Sequence, residues 1–211
     1  MPNDKTVAKT NSTSNSQKNV SLKVITFDEL WSAYPSSTIE HIDQSSKKDV
    51  FSDHCAINVS DALYKCGILM KTFSKTRCWN CPTPDPTTKK GIHAIRAEEL
   101  SGYLKTRPFA GCPVPVKLNG KNFKENVEGK TGIIFFKDYW LRGNERTPTG
   151  DYIDLWNKSK LAGSGTLASY LQVNFPSATE SVSGLFGSDT RITSLEKATE
   201  VLFWEIKLKI K

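Results

Sequence analysis

The chain of 211 residues has no apolar run approaching the roughly 18 consecutive residues that mark a membrane-spanning helix. Histidine is scarce at three copies and methionine scarcer at two. Five cysteines are too few for a disulfide scaffold at this length, and an odd number leaves at least one sulfur unbridged. Residues 1–21 carry only Val7, Ala8 and Val20 as aliphatics among Asn, Ser, Thr and Lys, so no secretory signal peptide is legible there. No internal repeat occurs. These absences exclude a membrane protein with helical spans and a coiled coil.

What is there fits an ordinary globular chain. The composition is 37% hydrophobic, 10% aromatic and 24% charged, enough to build one core and too apolar for wholesale disorder. Residues 1–21 are read as a disordered polar tail, and residues 22–211 as a single domain. The 29 Lys and Arg exceed the 22 Asp and Glu, giving a net +7 that favours an anionic partner. Acids are interleaved with the bases, as at Glu196-Lys197 and Glu205 with Lys207, and no helix-turn-helix or aromatic-basic sheet signature accompanies them. Nucleic acid is therefore not expected as a partner.

Periodicity orders the elements. Phe27, Leu30, Trp31 and Tyr34 fall at helical spacing and Pro35 ends the run. Across 52–67, Cys55, Val59, Ala62, Leu63 and Cys66 share one helical face, with Ser52 or Asp53 to cap the start and Gly67 to terminate it. A turn-rich stretch with Pro82, Pro84 and Pro86 leads to a further helix over 94–104. The period then shortens to that of strands at 132–136, 152–156 and 201–207. Helices followed by strands, without βαβ alternation, predict an α+β fold with a largely antiparallel sheet.

Cys55 falls in the first turn of a predicted helix, where free N–H groups and the dipole favour a thiolate nucleophile; packing as an inert thiol is the alternative. On this reading Cys55 is partly exposed and Cys66 buried. A nucleophilic cysteine needs a base, and the candidates are His41, His54 and His93. Cys78-x2-Cys81 with His93 and Cys112 supplies a chemically sensible zinc set, while a local disulfide or plain core thiols explain the same residues. No cofactor or metal is assigned on these grounds.

Five motifs then occur in order: Asp53-His54-Cys55-Ala56-Ile57-Asn58-Val59-Ser60, Arg96-Ala97-Glu98-Glu99-Leu100, Gly132-Ile133-Ile134-Phe135-Phe136-Lys137-Asp138, Gly150-Asp151-Tyr152-Ile153-Asp154-Leu155-Trp156-Asn157, and Phe203-Trp204-Glu205. Together, across roughly 27–207, the chain resembles the fourth family of type VI secretion amidase effectors. The resemblance implies a papain-like cysteine amidase fold, with the helix bearing the nucleophile packed on an antiparallel sheet. It implies an antibacterial effector that hydrolyses the D-glutamyl–diaminopimelate amide of peptidoglycan stem peptides. Such a toxin is made in the cytoplasm, delivered by the type VI secretion machinery without a signal peptide, active in the target cell's periplasm, and blocked by a cognate immunity protein.

By the same resemblance the nucleophile is Cys55. The family's Gly-Asp-His-Ile-Asp-Leu-Trp motif places Tyr152 where the family has His, and Asp154 is the nearest acid for an orienting role. A phenol with an ordinary pKa of ~10 accepts a proton poorly at neutral pH, where an imidazole near ~6.5 does so well. A catalytically inactive homologue that binds cell wall or immunity protein is the alternative reading.

Overall fold

The computed structural model describes residues 5–9, 17–140, 146–163 and 195–209. The Phe27, Leu30 and Trp31 stripe forms α1 (Phe27–Ala33), whose start is fixed by the Thr26 backbone N–H donating to Glu29 Oε2 at 2.9 Å. α2 (Cys55–Lys65) follows and buries nearly its whole length from Cys55 to Leu63. It ends where Gly67, at φ +90°, turns the chain so that the Gly67 and Ile68 N–H groups donate to Tyr64 and Leu63 carbonyls at 2.8 and 3.0 Å. α3 (Ala97–Lys105) opens with Glu98 and Glu99, the sign its N-terminus favours, and buries Leu100, Tyr103 and Leu104. It begins later than the periodicity suggests because Ala94 is taken by a bridge to Arg77.

After α3 come β3 (Val116–Leu118), a short α4 (Phe123–Val127), β4 (Thr131–Trp140), β5 (Gly150–Asn157), β6 (Lys160–Leu161) and β7 (Glu200–Glu205). They form an antiparallel sheet in the order β3-β7-β4-β5-β6, with Ile133 opposite Leu155 and Trp204, and Ile134 opposite Asp154 and Phe203. The pleat sorts the side chains onto two faces. Ile133, Phe135, Ile153, Leu155 and Trp204 pack with α1, α2 and α3. Ile134, Phe136, Trp156 and Phe203 pack with Phe123 and Val127 of α4, where the Trp156 Nε1–H donates to the Val127 carbonyl at 2.9 Å. Each such buried side chain contributes on the order of 1.5–3 kcal/mol of transfer free energy. Burial on both faces explains why these strands read as continuous apolar runs.

The α+β architecture matches the sequence expectation, with the Cys55-bearing helix laid on an antiparallel sheet. The N-terminal stretch differs from it. Within the supposed disordered tail, β1 (Lys5–Lys9) and β2 (Gln17–Ser21) pair antiparallel as a separate two-stranded sheet. Such pairing is made by backbone hydrogen bonds, which apolar composition does not report.

Candidate active site

Cys55 is the first residue of α2 and is 8% exposed. His54 occupies the capping position without a capping side-chain bond; the Cys55 backbone N–H donates instead to Asp53 Oδ1 at 3.0 Å. Burial pushes the Cys55 thiol well above the ordinary cysteine range and the Asp53 charge adds to this, while a hydrogen bond from the Ile153 backbone opposes them. The helix N-terminus does favour a thiolate, but desolvation outweighs it here. In the resting site the proton stays on sulfur.

β5 supplies the groups beside this thiol. Tyr152 and Asp154 are two apart on the strand and so project to one side. The Tyr152 hydroxyl donates to Asp154 Oδ2 at 2.8 Å. The same carboxylate accepts the Gly163 N–H on Oδ2 and the Leu155 N–H on Oδ1, both at 2.8 Å. Asp154 is fully buried, and that burial raises its pKa to about 6 against the pull of these three donors. Burial and the Asp154 charge hold the Tyr152 phenol well above its usual range, and the Cys55 sulfur adds to both. Gly163 closes the cluster: a Cβ there would collide with the Tyr34 hydroxyl and approach Asp154 Oδ2 to 3.2 Å.

All three histidines are engaged elsewhere. His54 Nε2 lies 2.9 Å from Asp49 Oδ2. His41 Nε2 and His93 Nδ1 face one another at 3.2 Å, and His93 Nε2 lies 3.4 Å from Asp61 Oδ1. The three candidate bases of the sequence are therefore committed to other partners.

The remaining cysteines separate into two environments. Cys78 and Cys81 meet His93, as their spacing suggests, with sulfurs 3.5 and 3.6 Å from Nδ1. Cys112 does not join them; it is buried at the C-terminal end of α3, its sulfur 3.6 Å from the Leu104 carbonyl oxygen and its pKa raised by burial to about 12. His41 takes the place given to Cys112, a ligand that no spacing rule signals because it comes from the loop after α1. Cys66 is only half-buried and lines a groove of about 520 Å³ with Leu22, Leu69 and Phe109. The exposures expected of Cys55 and Cys66 are thus reversed, because Cys55 heads into the sheet while Cys66 caps the helix at its edge.

The family described as type VI secretion system (T6SS), amidase effector protein 4, matches residues 51–204. No curated protein sequence matches significantly. Among solved structures, the type VI effector-immunity complex Tae4-Tai4 from Enterobacter cloacae is similar at 17% identity and a TM-score of 0.52, over 86% of this chain and 98% of that one. The effector Tae4 from Enterobacter cloacae alone gives 17% and 0.50, over 89% of this chain and 100% of that one. Tae4 from Salmonella typhimurium, in complex with the Enterobacter cloacae immunity protein Tai4, gives 17% and 0.52, over 86% and 98%. At this identity the likeness is one of fold, the papain-like arrangement expected above.

Proposed function

This chain belongs to the type VI secretion system amidase effector 4 family, and we propose that it is an antibacterial toxin cutting the D-glutamyl–diaminopimelate amide of peptidoglycan, with Cys55 as nucleophile. The observation that carries this reading is the Cys55 thiol at the head of α2, in the buried cluster against which Tyr152 of β5 packs, with the Tyr152 hydroxyl bonded to Asp154. The domain responsible spans 22–211. The chain is made in a producing cell's cytoplasm, delivered by the secretion machinery and active in the target's periplasm. Solved effector structures in complex with an immunity protein support a cognate immunity partner for this one.

The mechanism follows from where protons sit. As the Cys55 Sγ–H passes its proton to Tyr152 Oη, the Tyr152 proton passes to Asp154 Oδ2, so no free phenolate forms. The thiolate adds to the carbonyl carbon. On collapse, Tyr152 protonates the departing amine and takes its proton back from Asp154, leaving a thioester. Water then cleaves the thioester by the same relay, giving the acid and the free thiol. Lacking an imidazole, this relay forgoes the ~10²–10⁴-fold that a well-matched general base supplies. Slow turnover is expected.

The commitment of all three imidazoles to other partners, together with the raised thiol pKa of Cys55, favours a second reading. In it the protein is an inactive homologue that binds cell wall or immunity protein. Turnover of a tetrapeptide muropeptide by the wild type and by Cys55→Ala separates the two. Slow cleavage that is lost in the alanine variant supports the amidase; equal, null traces support the binding module.

A further inference from the structure

We infer that His41, Cys78, Cys81 and His93 form a structural zinc site that pins the loop approaching Cys55. Three segments distant in sequence bring these donors together, and every one of the four donor atoms lies within 4.8 Å of the others. His41 and His93 are fully buried and Cys78 nearly so.

The spacing is that of ligands around one ion. With Zn–N near 2.05 Å and Zn–S near 2.3 Å, a tetrahedron has N···N edges of about 3.3 Å and N···S edges of about 3.6 Å. The observed N···N separation is 3.2 Å, and the N···S separations to His93 are 3.5 and 3.6 Å.

The outer faces of both imidazoles point to the same conclusion. His41 Nδ1 lies 3.0 Å from the Ile39 carbonyl oxygen, which only accepts, so Nδ1 carries the hydrogen. His93 Nε2 lies 3.4 Å from the Asp61 carboxylate, itself paired with Lys65 at 2.7 Å, so here too the outer nitrogen is the donor. That leaves two bare nitrogen lone pairs aimed at each other in a dry interior, beside two sulfurs. Metal-binding histidines are held in this way, with the outer N–H fixed by a carbonyl or a carboxylate. Two thiolates and two neutral imidazoles balance a divalent ion, and the soft, tetrahedral S₂N₂ donor set selects zinc.

The scaffold fits a closed site. The Cys78 backbone N–H donates to the His93 carbonyl at 2.9 Å, and an Arg77–Ala94 bridge ties the ends of the 78–93 turn. Gly91 allows the close approach: a Cβ there would collide with the Cys78 carbonyl oxygen and reach its sulfur at 2.6 Å. Phe51 packs edge-on against both His41 and Trp79 at ring separations of 5.0 and 4.5 Å. With four protein ligands no position is left for substrate, so the role is structural. The ion would fasten the 41–54 loop to the 78–93 turn and, through Asp61, to α2.

The test is independent of amidase activity. The untagged full chain, purified from zinc-supplemented medium, should release about one zinc per chain on denaturation, and its cobalt form should show tetrahedral d–d bands with thiolate charge transfer. His41→Gln and Cys81→Ser should lose the ion while Cys112→Ser keeps it. If the ligand variants fail to fold, the cobalt spectrum of the wild type still decides. Wild-type protein free of zinc with a Cys78–Cys81 disulfide in its peptide map, or zinc lost from Cys112→Ser but kept in His41→Gln, overturns the inference.

Discussion

The Tyr152 hydroxyl donates a 2.8 Å hydrogen bond to Asp154 Oδ2, so in the proposed mechanism a phenol–carboxylate pair would carry the proton that a histidine manages elsewhere. The phenol is disposed to donate, and its capacity to accept depends on a carboxylate that must take a proton in turn.

Replacing the phenol by an imidazole should therefore raise the rate. Tyr152→His is expected to cleave a tetrapeptide muropeptide on the order of 10²–10⁴-fold faster than the wild type, with Cys55→Ala as the blank. Equal rates for the histidine variant and the wild type would remove residue 152 from the proton path.

Activity and stability should run in opposite directions with pH. In the proposed relay Asp154 must be ionised to accept a proton, so kcat should rise through about pH 6, the value to which burial raises this carboxyl. A carboxyl whose folded pKa is raised contributes stability that is fully present below its unfolded value near ~4 and lost as pH rises through the folded value. Stability attributable to Asp154 should thus fall between about pH 4 and pH 6, by at most about 3 kcal/mol. Urea titrations across that range, with Asp154→Asn as the reference lacking this slope, measure it.

Thiol labelling should follow burial. Under native conditions a maleimide should modify the half-buried Cys66 before Cys55, which is buried and held protonated. Peptide mapping gives the order, and early labelling of Cys55 would contradict the packing around it.

Gly163 has no room for a side chain. Gly163→Ala drives a methyl group into the Tyr34 hydroxyl and crowds Asp154, a clash of the kind that costs about 1–3 kcal/mol. The denaturation midpoint should drop accordingly, and an unchanged midpoint would mean that the cluster opens freely.

The longer elements were legible because their patterns are long. Phe27, Leu30 and Trp31 announce α1, Gly67 announces the end of α2, and the apolar run at 132–136 announces β4. Three residues in β3 and five in α4 carry too few side chains for any period to show. At the candidate site, the sequence placed Cys55 at a helix N-terminus but could not show that burial beside Tyr152 and Asp154 would outweigh the dipole. That balance depends on desolvation, which only the folded packing sets. The Cys78-x2-Cys81 pair was visible, whereas His41, which joins the same cluster, was not, since tertiary contact and not spacing brings it there. Cys112 was chosen in its stead because sulfur chemistry can be read from a sequence and three-dimensional distance cannot.

Trp204 and Trp156 lie on opposite sides of one sheet, the first among α1, α2 and α3 and the second against α4, and both are almost wholly shielded from solvent. Each layer of the molecule therefore contains its own fluorophore. Emission from single-tryptophan versions reports separately on the helical layer and the α4 layer, so optical melting curves can show whether the two sides of the sheet come apart as one cooperative unit or in sequence.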